Sequence, residues 1–344
     1  MLQRLLVVAA LALGALNLER IVTIALFDFK RERDGVIIVT GASSGIGKDA
    51  AFALATHGFD VLFGVRKEQD GANVLASFQG STEAKARLHA VLLDVTDAKQ
   101  CEAAVARAVQ LAASLKKDFV GLVNNAGGSG PIMPAEWTTE QQLRDLMDLN
   151  LFGAVRMTHL VLPHLRKRGH GRIVAVSSVI SLIATPIASQ YAASKCAMDG
   201  YFDALRRELV HLGISVSTLN PGCVKSAMTL GKNAVLAKSL RIKNATDPSY
   251  ADLVWAAMAF ENTCGPHGYE PSTSTSLDIV DAITSRHPLP RYTPGNFGGI
   301  VSAAWLKRLT WASPDRVVDY IASSGATNTL LHFVYGAKVG ELHD

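Results

Sequence analysis

Short runs of apolar, often β-branched residues recur along the chain, and stretches of helical character separate them. Such runs indicate buried strands where polar or glycine-rich turns bound them. Strands that alternate with helices are typical of a parallel sheet that helices cover on both faces. The pattern therefore predicts an α/β protein with a doubly wound parallel sheet, whose strands occupy residues 36–40, 61–65, 90–93, 120–123, 172–177 and 214–219.

The first 34 residues carry a different hydrophobic pattern. Residues 5–16 form an apolar run, Glu19 and Arg20 follow it, and residues 21–27 are apolar again. The first run is too short to span a bilayer, and a joined segment 5–27 would place two charges inside the membrane. We expect a membrane anchor or hairpin here, and a cleaved secretory signal is the alternative.

The residues that flank this segment bear on location. Lys30, Arg31 and Arg33 follow the apolar part, and positive residues favour the cytosolic side of a membrane. We therefore expect a protein of the endoplasmic reticulum or a similar endomembrane, with its main domain in the cytosol. Asn244 opens a formal glycosylation sequon, which would instead mean a luminal or secreted domain if it were used.

Composition argues against two kinds of site. The 344 residues carry a net charge of +4, and the sequence has no basic stripe interleaved with aromatic residues, so nucleic acid is not an expected partner. The four cysteines, Cys101, Cys196, Cys223 and Cys264, form no C-x-x-C pair or Cys/His cluster, so no metal site is expected. Their spacing favours free thiols, although pairing in an oxidising lumen stays open.

A glycine-rich turn follows the first predicted strand directly. The strand ends at Thr40, the turn reads Gly-Ala-Ser-Ser-Gly-Ile-Gly over residues 41–47, and a helix-like stretch occupies residues 48–55. Glycines let the backbone approach a pyrophosphate, and the helix N-terminus adds N–H groups and a positive dipole. An ordinary tight turn is the alternative. The placement between strand and helix favours a dinucleotide-binding loop.

The end of the second predicted strand favours one coenzyme over the other. A coenzyme without a 2′-phosphate needs an acid there to bind the ribose hydroxyls, whereas the phosphorylated coenzyme needs an arginine. Val65 stands at the acid position, and Arg66 follows it. We therefore expect NADP(H). NAD(H) stays open because Glu68 could reach the ribose, and because Arg66 and Lys67 could simply solvate a loop.

Tyr191 and Lys195 are four residues apart and share one face of a predicted helix. A lysine ammonium beside a phenol favours the phenolate, which brings the phenol pKa from about 10 toward neutrality. Such a phenol is a usable acid or base, although the pair alone would also fit a solvated helix face. Ser178 follows the strand predicted at 172–177, so its hydroxyl can meet the same substrate oxygen. The three residues suggest proton transfer to or from a carbonyl or alcohol.

Together these motifs resemble the short-chain dehydrogenase/reductase family, over about Gly35 to Met228. The fold that this resemblance implies is a Rossmann-like doubly wound parallel sheet, here with an N-terminal membrane-like extension and C-terminal substrate-lid helices. The matching pieces are Thr40–Gly47, Leu93–Val95, Asn124–Gly127, Asn150, Ser178, Tyr191 with Lys195, and Pro221–Gly222.

The resemblance implies how a coenzyme would be held. Asp94 corresponds to the aspartate that holds the adenine ring, and Asn125 to Gly127 match the stretch that passes the adenine ribose. Asn124 is expected to brace the central sheet, and Ser226 to contact the nicotinamide carboxamide or the phosphates. The implied coenzyme-binding residues are Gly41, Ser43, Ser44, Gly45, Ile46, Gly47, Arg66, Asp94, Val95, Asn125, Ala126, Gly127, Tyr191, Lys195, Val224 and Ser226.

The resemblance also implies catalytic roles for four residues. In the reducing direction NAD(P)H gives hydride to a carbonyl carbon, and Tyr191 donates a proton to the oxygen. Ser178 hydrogen-bonds and orients that oxygen. Lys195 holds the nicotinamide ribose and depresses the pKa of Tyr191. Asn150 keeps a helix kinked and holds a relay water that connects Lys195 to solvent.

The chain divides accordingly. Residues 35–322 are expected to form the catalytic domain, between a hydrophobic segment, 1–34, and a tail, 323–344. Residues 227–300 are expected to form a substrate lid, and an ordinary surface insertion is the alternative. Arg291–Tyr292 resembles the last strand of the family branch that holds retinol, hydroxysteroid and 3-hydroxybutyrate dehydrogenases.

The favoured hypothesis is an NADP(H)-dependent oxidoreductase that interconverts a carbonyl and an alcohol on a lipophilic substrate, of retinoid, steroid or acyl type. The membrane-like N-terminus and the apolar patch at 253–260 motivate this substrate class. One alternative is an NAD-dependent dehydrogenase of a small hydroxy acid such as 3-hydroxybutyrate. A non-enzymatic coenzyme-binding scaffold is the other, but a scaffold need not keep Tyr191 and Lys195. The resemblance also implies a homodimer.

Overall fold

In the computed structural model, which describes residues 28–224, 271–294, 296–297 and 301–302, seven strands form one parallel sheet. The strands are β1 (Gly35–Val39), β2 (Phe59–Val65), β3 (Leu88–Leu92), β4 (Phe119–Asn124), β5 (Gly171–Val176), β6 (Ile214–Leu219) and β7 (Arg291–Tyr292). Their order across the sheet is β3-β2-β1-β4-β5-β6-β7. The predicted doubly wound parallel sheet is confirmed. A separate antiparallel pair joins β8 (Asn296–Phe297) to β9 (Val301–Ser302).

Helices connect the strands and cover both faces of the sheet. The described helices are α1 (Gly45–Thr56), α2 (Glu68–Ser77), α3 (Thr82–Lys85), α4 (Ala98–Leu115), α5 (Glu140–Met147), α6 (Gly153–Arg168), α7 (Ser189–Leu209) and α8 (Ser272–Thr284). Buried residues of α4, α6 and α7 pack on one face, and those of α1, α2 and α8 pack on the other. Two hydrophobic cores therefore enclose the sheet.

The first strand shows why the sequence forms this architecture. Successive side chains of a strand point to opposite faces of its sheet. Val36 and Ile38 lie in one core, and Ile37 and Val39 lie in the other. A strand that is buried on both faces needs an unbroken apolar run, and this run is the pattern that predicted it.

The chain reverses its direction of progress across the sheet between β1 and β4. Such a reversal opens a crevice at the carboxyl ends of the strands, where doubly wound proteins bind ligands. The loops that leave β1, β4, β5 and β6 all start at this edge. The motifs singled out in the sequence follow these strands and therefore meet at one edge of the sheet.

A π-helical turn, Asp148–Phe152, joins α5 to α6. An extra residue in a helical turn kinks the helix and re-aims side chains near it. Here Asn150 is turned fully inward, with no exposed surface. The π turn at Asn150 is an irregularity of the kind that the predicted kink requires.

The segment predicted as a substrate lid, 227–300, contains scaffold as well. Helix α8 packs against α1, and its residues Ile279 and Ile283 are fully buried. Strand β7 extends the sheet in parallel beside β6, so the predicted last strand at Arg291–Tyr292 is confirmed. Residues 272–292 thus belong to the sheet and its cover, because their apolar face completes a core. Residues 227–270 lie outside the described residues.

The predicted boundary at residue 35 is also corrected. Glu32 is only 3% exposed, and its carboxylate accepts hydrogen bonds from the Arg168 guanidinium at 2.6 and 2.9 Å. His170 Nδ1 lies 2.8 Å from the same carboxylate. A buried carboxylate needs such partners. Residues 28–34 therefore pack onto the domain, and the predicted hydrophobic segment 1–34 contributes its last seven residues to the fold.

Arg172 ties this N-terminal stretch to the end of α8. Its guanidinium is fully buried and donates to the carbonyl oxygens of Lys30 at 2.7 Å, Ser285 at 2.8 Å and Ile283 at 3.0 Å. Burial lowers the pKa of Arg172 to about 10, so the group stays charged at neutral pH. One side chain thus holds two segments that are far apart in the sequence.

Three sequence predictions concern the remaining segments and the thiols. Residues 1–27, which contain the predicted membrane anchor, and the tail at 323–344 lie outside the described residues. Among the described helices, none combines the length and apolar character that a membrane crossing requires. Cys101 and Cys196 are free thiols, as expected, and Cys264 is outside the described residues.

We expect Glu32→Gln to lower the free energy of unfolding by about 3 kcal/mol, because it breaks a buried charge pair on one side. Burial alone would raise the pKa of Glu32, but the hydrogen bonds and charges of Arg168 and His170 outweigh it and hold the pKa below its ordinary value. The carboxylate therefore contributes stability above its unfolded-state pKa, and this stability is lost as pH falls through the folded-state pKa. Urea unfolding of the full-length protein at neutral and acidic pH measures both effects.

Glu140→Gln is the matched control, because Glu140 forms an exposed ion pair with Arg144 on α5. Exposed pairs contribute little to stability, so this variant should unfold like the parent protein. Equal unfolding midpoints for Glu32→Gln and Glu140→Gln would contradict the assignment of residues 28–34 to the folded domain.

Candidate active site

The loop after β1 has the backbone that only glycine adopts without strain. Gly41 and Gly45 have φ of +63° and +55°, in the left-handed region. A Cβ at Gly41 would lie 2.7 Å from Ala126 Cα, and a Cβ at Gly47 would lie 2.6 Å from the Gly41 carbonyl oxygen. The glycines therefore let the loop fold tightly against the chain that leaves β4.

The loop ends at the N-terminus of α1, which lacks a side-chain cap. Ser44 is the N-cap residue, and its hydroxyl accepts no bond from the helix. The first turn of α1 carries no acidic residue, and both Ser43 and Ser44 are exposed. An uncapped helix N-terminus offers N–H groups and a positive dipole to an anion. Loop and helix together fit the pyrophosphate of a dinucleotide.

Thr40 and Asn125 brace the glycine loop against β4. Thr40 Oγ1 accepts hydrogen bonds from the N–H groups of Asn125 and Ala126, each at 2.9 Å. Asn125 Nδ2 donates to the carbonyl oxygens of Thr40 and Gly41, each within 3.0 Å. The Asn125 carboxamide, which the family resemblance places along the adenine ribose, therefore holds the loop in shape.

Asn124 has the bracing role that the sequence predicted. Its side chain is buried, and its Nδ2 donates to the Thr158 hydroxyl at 2.9 Å. Thr158 lies on α6, so this bond links the end of β4 to the helix that covers it. The two neighbouring asparagines thus serve different contacts.

The ends of β2 and β3 lie side by side at the outer part of the same edge. Val65 is buried and accepts from the Leu93 N–H at 2.9 Å, while Arg66 is exposed. Asp94 Oδ1 accepts from the N–H and hydroxyl of Thr96 at 2.9 and 2.7 Å. Val95 is buried beneath them. The residues predicted to contact the adenosine end therefore occupy neighbouring strand ends.

Asn150 joins the loop after β4 to the helix α7. Its Oδ1 accepts from the Gly128 N–H at 2.8 Å, and its Nδ2 donates to the Gly128 carbonyl oxygen and to Ser194 Oγ, each at 2.9 Å. Ser194 Oγ in turn donates to the Tyr191 carbonyl oxygen at 2.8 Å. The buried amide therefore uses both of its N–H donors and one acceptor site of its oxygen to join these two elements.

Gly127 lies between Asn150 and Lys195. A Cβ at Gly127 would be 3.0 Å from Asn150 Oδ1 and 3.6 Å from Lys195 Nζ. The ammonium of Lys195 is buried and donates to the Val176 carbonyl oxygen at 2.8 Å. The structure thus brings the predicted coenzyme stretch and the predicted catalytic lysine together.

Ser178 and Tyr191 meet through a side-chain hydrogen bond. Burial raises the pKa of Tyr191, and the bond with Ser178 opposes this rise without cancelling it. The predicted depression of the Tyr191 pKa by Lys195 is therefore not found. The Lys195 Nζ lies 6.0 Å from the centroid of the phenol ring and donates a hydrogen bond to the Val176 carbonyl oxygen. Burial is therefore the main influence on the pKa of Tyr191.

Lys195 is itself perturbed. Burial lowers its pKa to about 8, although the charge of Asp199 acts in the opposite direction. A lysine with this pKa is mostly cationic at neutral pH and yet gives up its proton within the physiological range. The pair Tyr191 and Lys195 therefore combines a protonated phenol with a cation of tuned acidity.

The last predicted contacts follow β6. Pro221 accepts through its carbonyl from the Val179 N–H at 2.9 Å, which fixes the β6 loop beside the Ser178 turn. Val224 is buried at the end of this described stretch. Ser226 lies outside the described residues.

Sequence reasoning missed several residues that hold the site together. Thr40 and Ser194 were within quoted motifs but had no assigned role. Asp199 lies one helical turn after Lys195, and Asn220 directly precedes Pro221, so local spacing could have drawn attention to both. Arg291 was noted only as part of a predicted last strand, and its role at the site was missed because its partners are far away in the sequence.

Comparison with known proteins agrees with this geometry. The model of the short chain dehydrogenase family matches residues 35–236. Retinol dehydrogenase 5 of Mus musculus is 31% identical over 307 residues, which cover 84% of this chain and 87% of that protein. The 17-beta-hydroxysteroid dehydrogenase type 6 of Bos taurus is 34% identical over 271 residues, 76% of this chain and 81% of that protein.

Solved structures give the same result. A short-chain dehydrogenase from Streptomyces avermitilis superimposes with a TM-score of 0.64 at 25% identity, over 88% of this chain and 97% of that one. A variant of actinorhodin polyketide ketoreductase with NADPH superimposes with a TM-score of 0.61 at 26% identity, over 76% of this chain and 96% of that one.

We expect Gly47→Ala to weaken coenzyme binding about tenfold or more, because its Cβ would press the loop out of shape at a cost of roughly 1–3 kcal/mol. Titration of the full-length protein with NADPH, followed by coenzyme fluorescence, measures the dissociation constant. Gly200→Ala on α7 is the control, since a Cβ there meets nothing within 4 Å. NADPH affinity that is unchanged in Gly47→Ala would contradict the assignment of this loop to the coenzyme.

Proposed function

The chain belongs to the short-chain dehydrogenase/reductase family and is an NAD(P)-dependent oxidoreductase, and we propose that it interconverts a carbonyl and an alcohol on a lipophilic substrate with NADP(H). One observation carries the proposal. Ala126 lies against the glycine loop, and the next residue, Gly127, lies beside Lys195. A coenzyme held by the loop would therefore extend toward the Ser178–Tyr191 pair.

When bound, the coenzyme supplies hydride to the carbonyl carbon or accepts it from the alcohol carbon. The glycine loop and the first turn of α1 would hold its pyrophosphate. Arg66 would face a 2′-phosphate, since it is exposed at the end of β2 and Val65 offers no carboxylate for ribose hydroxyls. These two residues support NADP(H), and the ketoreductase relative crystallised with NADPH is consistent with it.

Tyr191 supplies the proton in the reducing direction. Its raised pKa keeps the phenol protonated at neutral pH, which suits donation to a carbonyl oxygen that gains negative charge. The O–H bond of Tyr191 breaks, the new O–H bond of the alcohol forms, and the phenolate is left beside Ser178. Oxidation reverses these steps. The hydroxyl of Ser178, bonded to the phenol, would orient the same oxygen.

Lys195 would stabilise the phenolate and return a proton to it. Its pKa of about 8 lies below the raised pKa of Tyr191, so the ammonium can donate a proton to the phenolate. Asn150 holds the lysine in reach, because it clamps Gly128 to the turn of α7 that starts at Tyr191. The relay water assigned to Asn150 by family resemblance stays a prediction.

The substrate class rests on the relatives. Retinol and hydroxysteroid dehydrogenases match three quarters or more of this chain at 31–34% identity. Both names denote apolar alcohols. The predicted apolar patch at 253–260 lies outside the described residues and remains a sequence-based argument for the same class.

Location and assembly stay predictions from the sequence. We propose membrane association through residues 1–27, at the endoplasmic reticulum or a similar endomembrane, with the catalytic domain in the cytosol. The support is the apolar pattern of that segment and the basic residues Lys30, Arg31 and Arg33. The implied homodimer is proposed on the family resemblance alone.

We expect Tyr191→Phe to lower kcat about 100-fold or more, because the substitution removes the proton donor and leaves the ring in place. Steady-state carbonyl reduction by the full-length protein measures the loss, and NADPH titration should give an unchanged dissociation constant. Tyr201→Phe is the matched control, since Tyr201 lies on the same helix and its hydroxyl meets His159 at 2.9 Å. Full turnover by Tyr191→Phe would sink the proposed mechanism.

A carbonyl panel tests substrate and coenzyme together. We expect retinoid, steroid or long-chain acyl carbonyls to be reduced with roughly tenfold or higher kcat/KM than short oxo acids, and NADPH to be preferred over NADH. Arg66→Ala should lower the ratio of kcat/KM with NADPH to kcat/KM with NADH about tenfold, because it removes a charge-assisted bond to the 2′-phosphate. Turnover confined to short oxo acids would overturn the proposed substrate class. A parent enzyme that prefers NADH would overturn the coenzyme assignment.

A further inference from the structure

We propose that Asp199, Asn220 and Arg291 form a positioning network that fixes the turn carrying Ser178 and sets the charge around Lys195. The proposal rests on the proposed function, because it names what holds two of the proposed catalytic groups in place. None of the three residues is expected to touch substrate or coenzyme. They are therefore positioning residues, which act through Ser178 and Lys195.

Asp199 lies at the centre of this network. The residue is 8% exposed, and its Oδ2 accepts from Ser181 Oγ at 2.7 Å and from Asn220 Nδ2 at 2.8 Å. Arg291 Nη1 reaches the same oxygen at 2.5 Å and also donates to Asn220 Oδ1 at 3.0 Å. Three side chains, from β7, the β6 end and the Ser178 turn, thus converge on one buried carboxylate oxygen of α7.

The network reaches the backbone of Ser178. Ser181 Oγ lies 2.7 Å from the Ser178 carbonyl oxygen and 2.7 Å from Asp199 Oδ2, so its single proton is shared between them. Asn220 Nδ2 lies 3.2 Å from the same carbonyl oxygen. The short 3₁₀ turn Val179–Ser181 is thereby anchored, so the backbone that carries the Ser178 side chain is held in place.

The charge of Asp199 is only partly neutralised by Arg291. The guanidinium also binds Asp203 through Nη2 at 2.8 Å, so Arg291 is shared between two carboxylates, and Arg206 pairs with the other Asp203 oxygen at 3.3 Å. Asp199 Oδ1 is buried and has no hydrogen-bond partner among the described residues. Residual negative charge therefore acts one turn back along α7, on Lys195, and it opposes the fall of the Lys195 pKa that burial causes.

The surroundings of Asp199 and Lys195 contain few other charges. On α7, the described ionisable neighbours are Tyr191, Cys196 and Asp203, and β7 contributes Arg291. The Ser178–Ser181 turn and the end of β6 offer only hydroxyl, amide and carbonyl groups. Asp199 is thus the described carboxylate that most directly sets the field at Lys195.

Arg291 extends the site beyond the matched part of the chain. The family model ends at residue 236, and Arg291 reaches the site because β7 pairs beside β6. A residue outside the matched region therefore completes the support of Ser178.

The test compares Asp199→Asn with Asp203→Asn in the full-length protein. Both substitutions take a carboxylate from Arg291, but only Asp199 acts on Lys195 and the Ser178 turn. Asp199 raises the Lys195 pKa, so its loss should lower that pKa further below about 8. In carbonyl reduction the alkaline limb of the pH–kcat profile, which belongs to the coupled pair Tyr191 and Lys195, should move to lower pH by about 0.5 or more. Asp203→Asn should leave the limb in place.

Cys196 provides a readout that does not depend on turnover. Cys196 is accessible to solvent on one side. Partial burial of its thiol, together with the charge of Asp199, raises the thiol pKa. The rate of alkylation of Cys196 by iodoacetamide, followed by peptide mass spectrometry across pH, should shift to lower pH in Asp199→Asn and not in Asp203→Asn. This arm detects the Asp199 charge even if the protein reduces no carbonyl in the panel.

Ser181→Ala separates positioning from charge and is the milder substitution. It removes the hydroxyl that links Asp199 to the Ser178 carbonyl and leaves the carboxylate charge in place. We expect kcat to fall roughly tenfold, because a small misplacement of a reacting group is costly, while the pH profile stays where it was.

The outcomes separate the two proposals. If the parent protein reduces none of the carbonyls, the proposed function fails and the Cys196 arm still reports on the network. If Asp199→Asn and Asp203→Asn lose activity and melting temperature alike with unmoved pH profiles, the network is merely structural and the inference is overturned. A parent-like kcat in Ser181→Ala would remove the positioning role.

Discussion

The side-chain amide of Asn150 is the contact on which the site depends most. It clamps the backbone of Gly128, directly after the coenzyme stretch, to Ser194 in the second turn of α7. A π turn makes this possible, because it re-aims a residue that a regular helix would leave on another face. The amide has no solvent access and uses both of its N–H donors, so the coenzyme stretch and α7 are held together at one buried point.

A second constraint comes from the parallel sheet. All seven strands end at the same edge, so four separate loops arrive together without long excursions. Thr40 and Asn125 then lock two of these loops with four hydrogen bonds across the reversal point. The glycine loop gains its shape from this cross-bracing and keeps its N–H groups available. A pre-formed cradle of this kind loses little conformational entropy when a ligand binds.

Local pattern was enough for the sheet, the glycine loop and the meeting of Ser178, Tyr191 and Lys195, because each depends on residues close in sequence. Distant pairings were not accessible in this way. In the sequence Glu32 is one polar residue among the basic residues before Gly35. Its burial could not be predicted there, because its partner Arg168 is 136 residues away. The direction of the shift in the Tyr191 pKa was also not predicted. The spacing shows that a lysine is near, but not that burial of the phenol has the larger effect on its pKa.

The position of β7 has a consequence for how the protein comes into being. Arg291 follows its partner Asp199 by 92 residues, and it lies on β7, which pairs with β6 in the folded protein. A nascent chain on the ribosome therefore exposes Tyr191 and Lys195 well before the strand that supports them has emerged. The contacts of Arg291 are non-local and can form only after most of the chain has been synthesised.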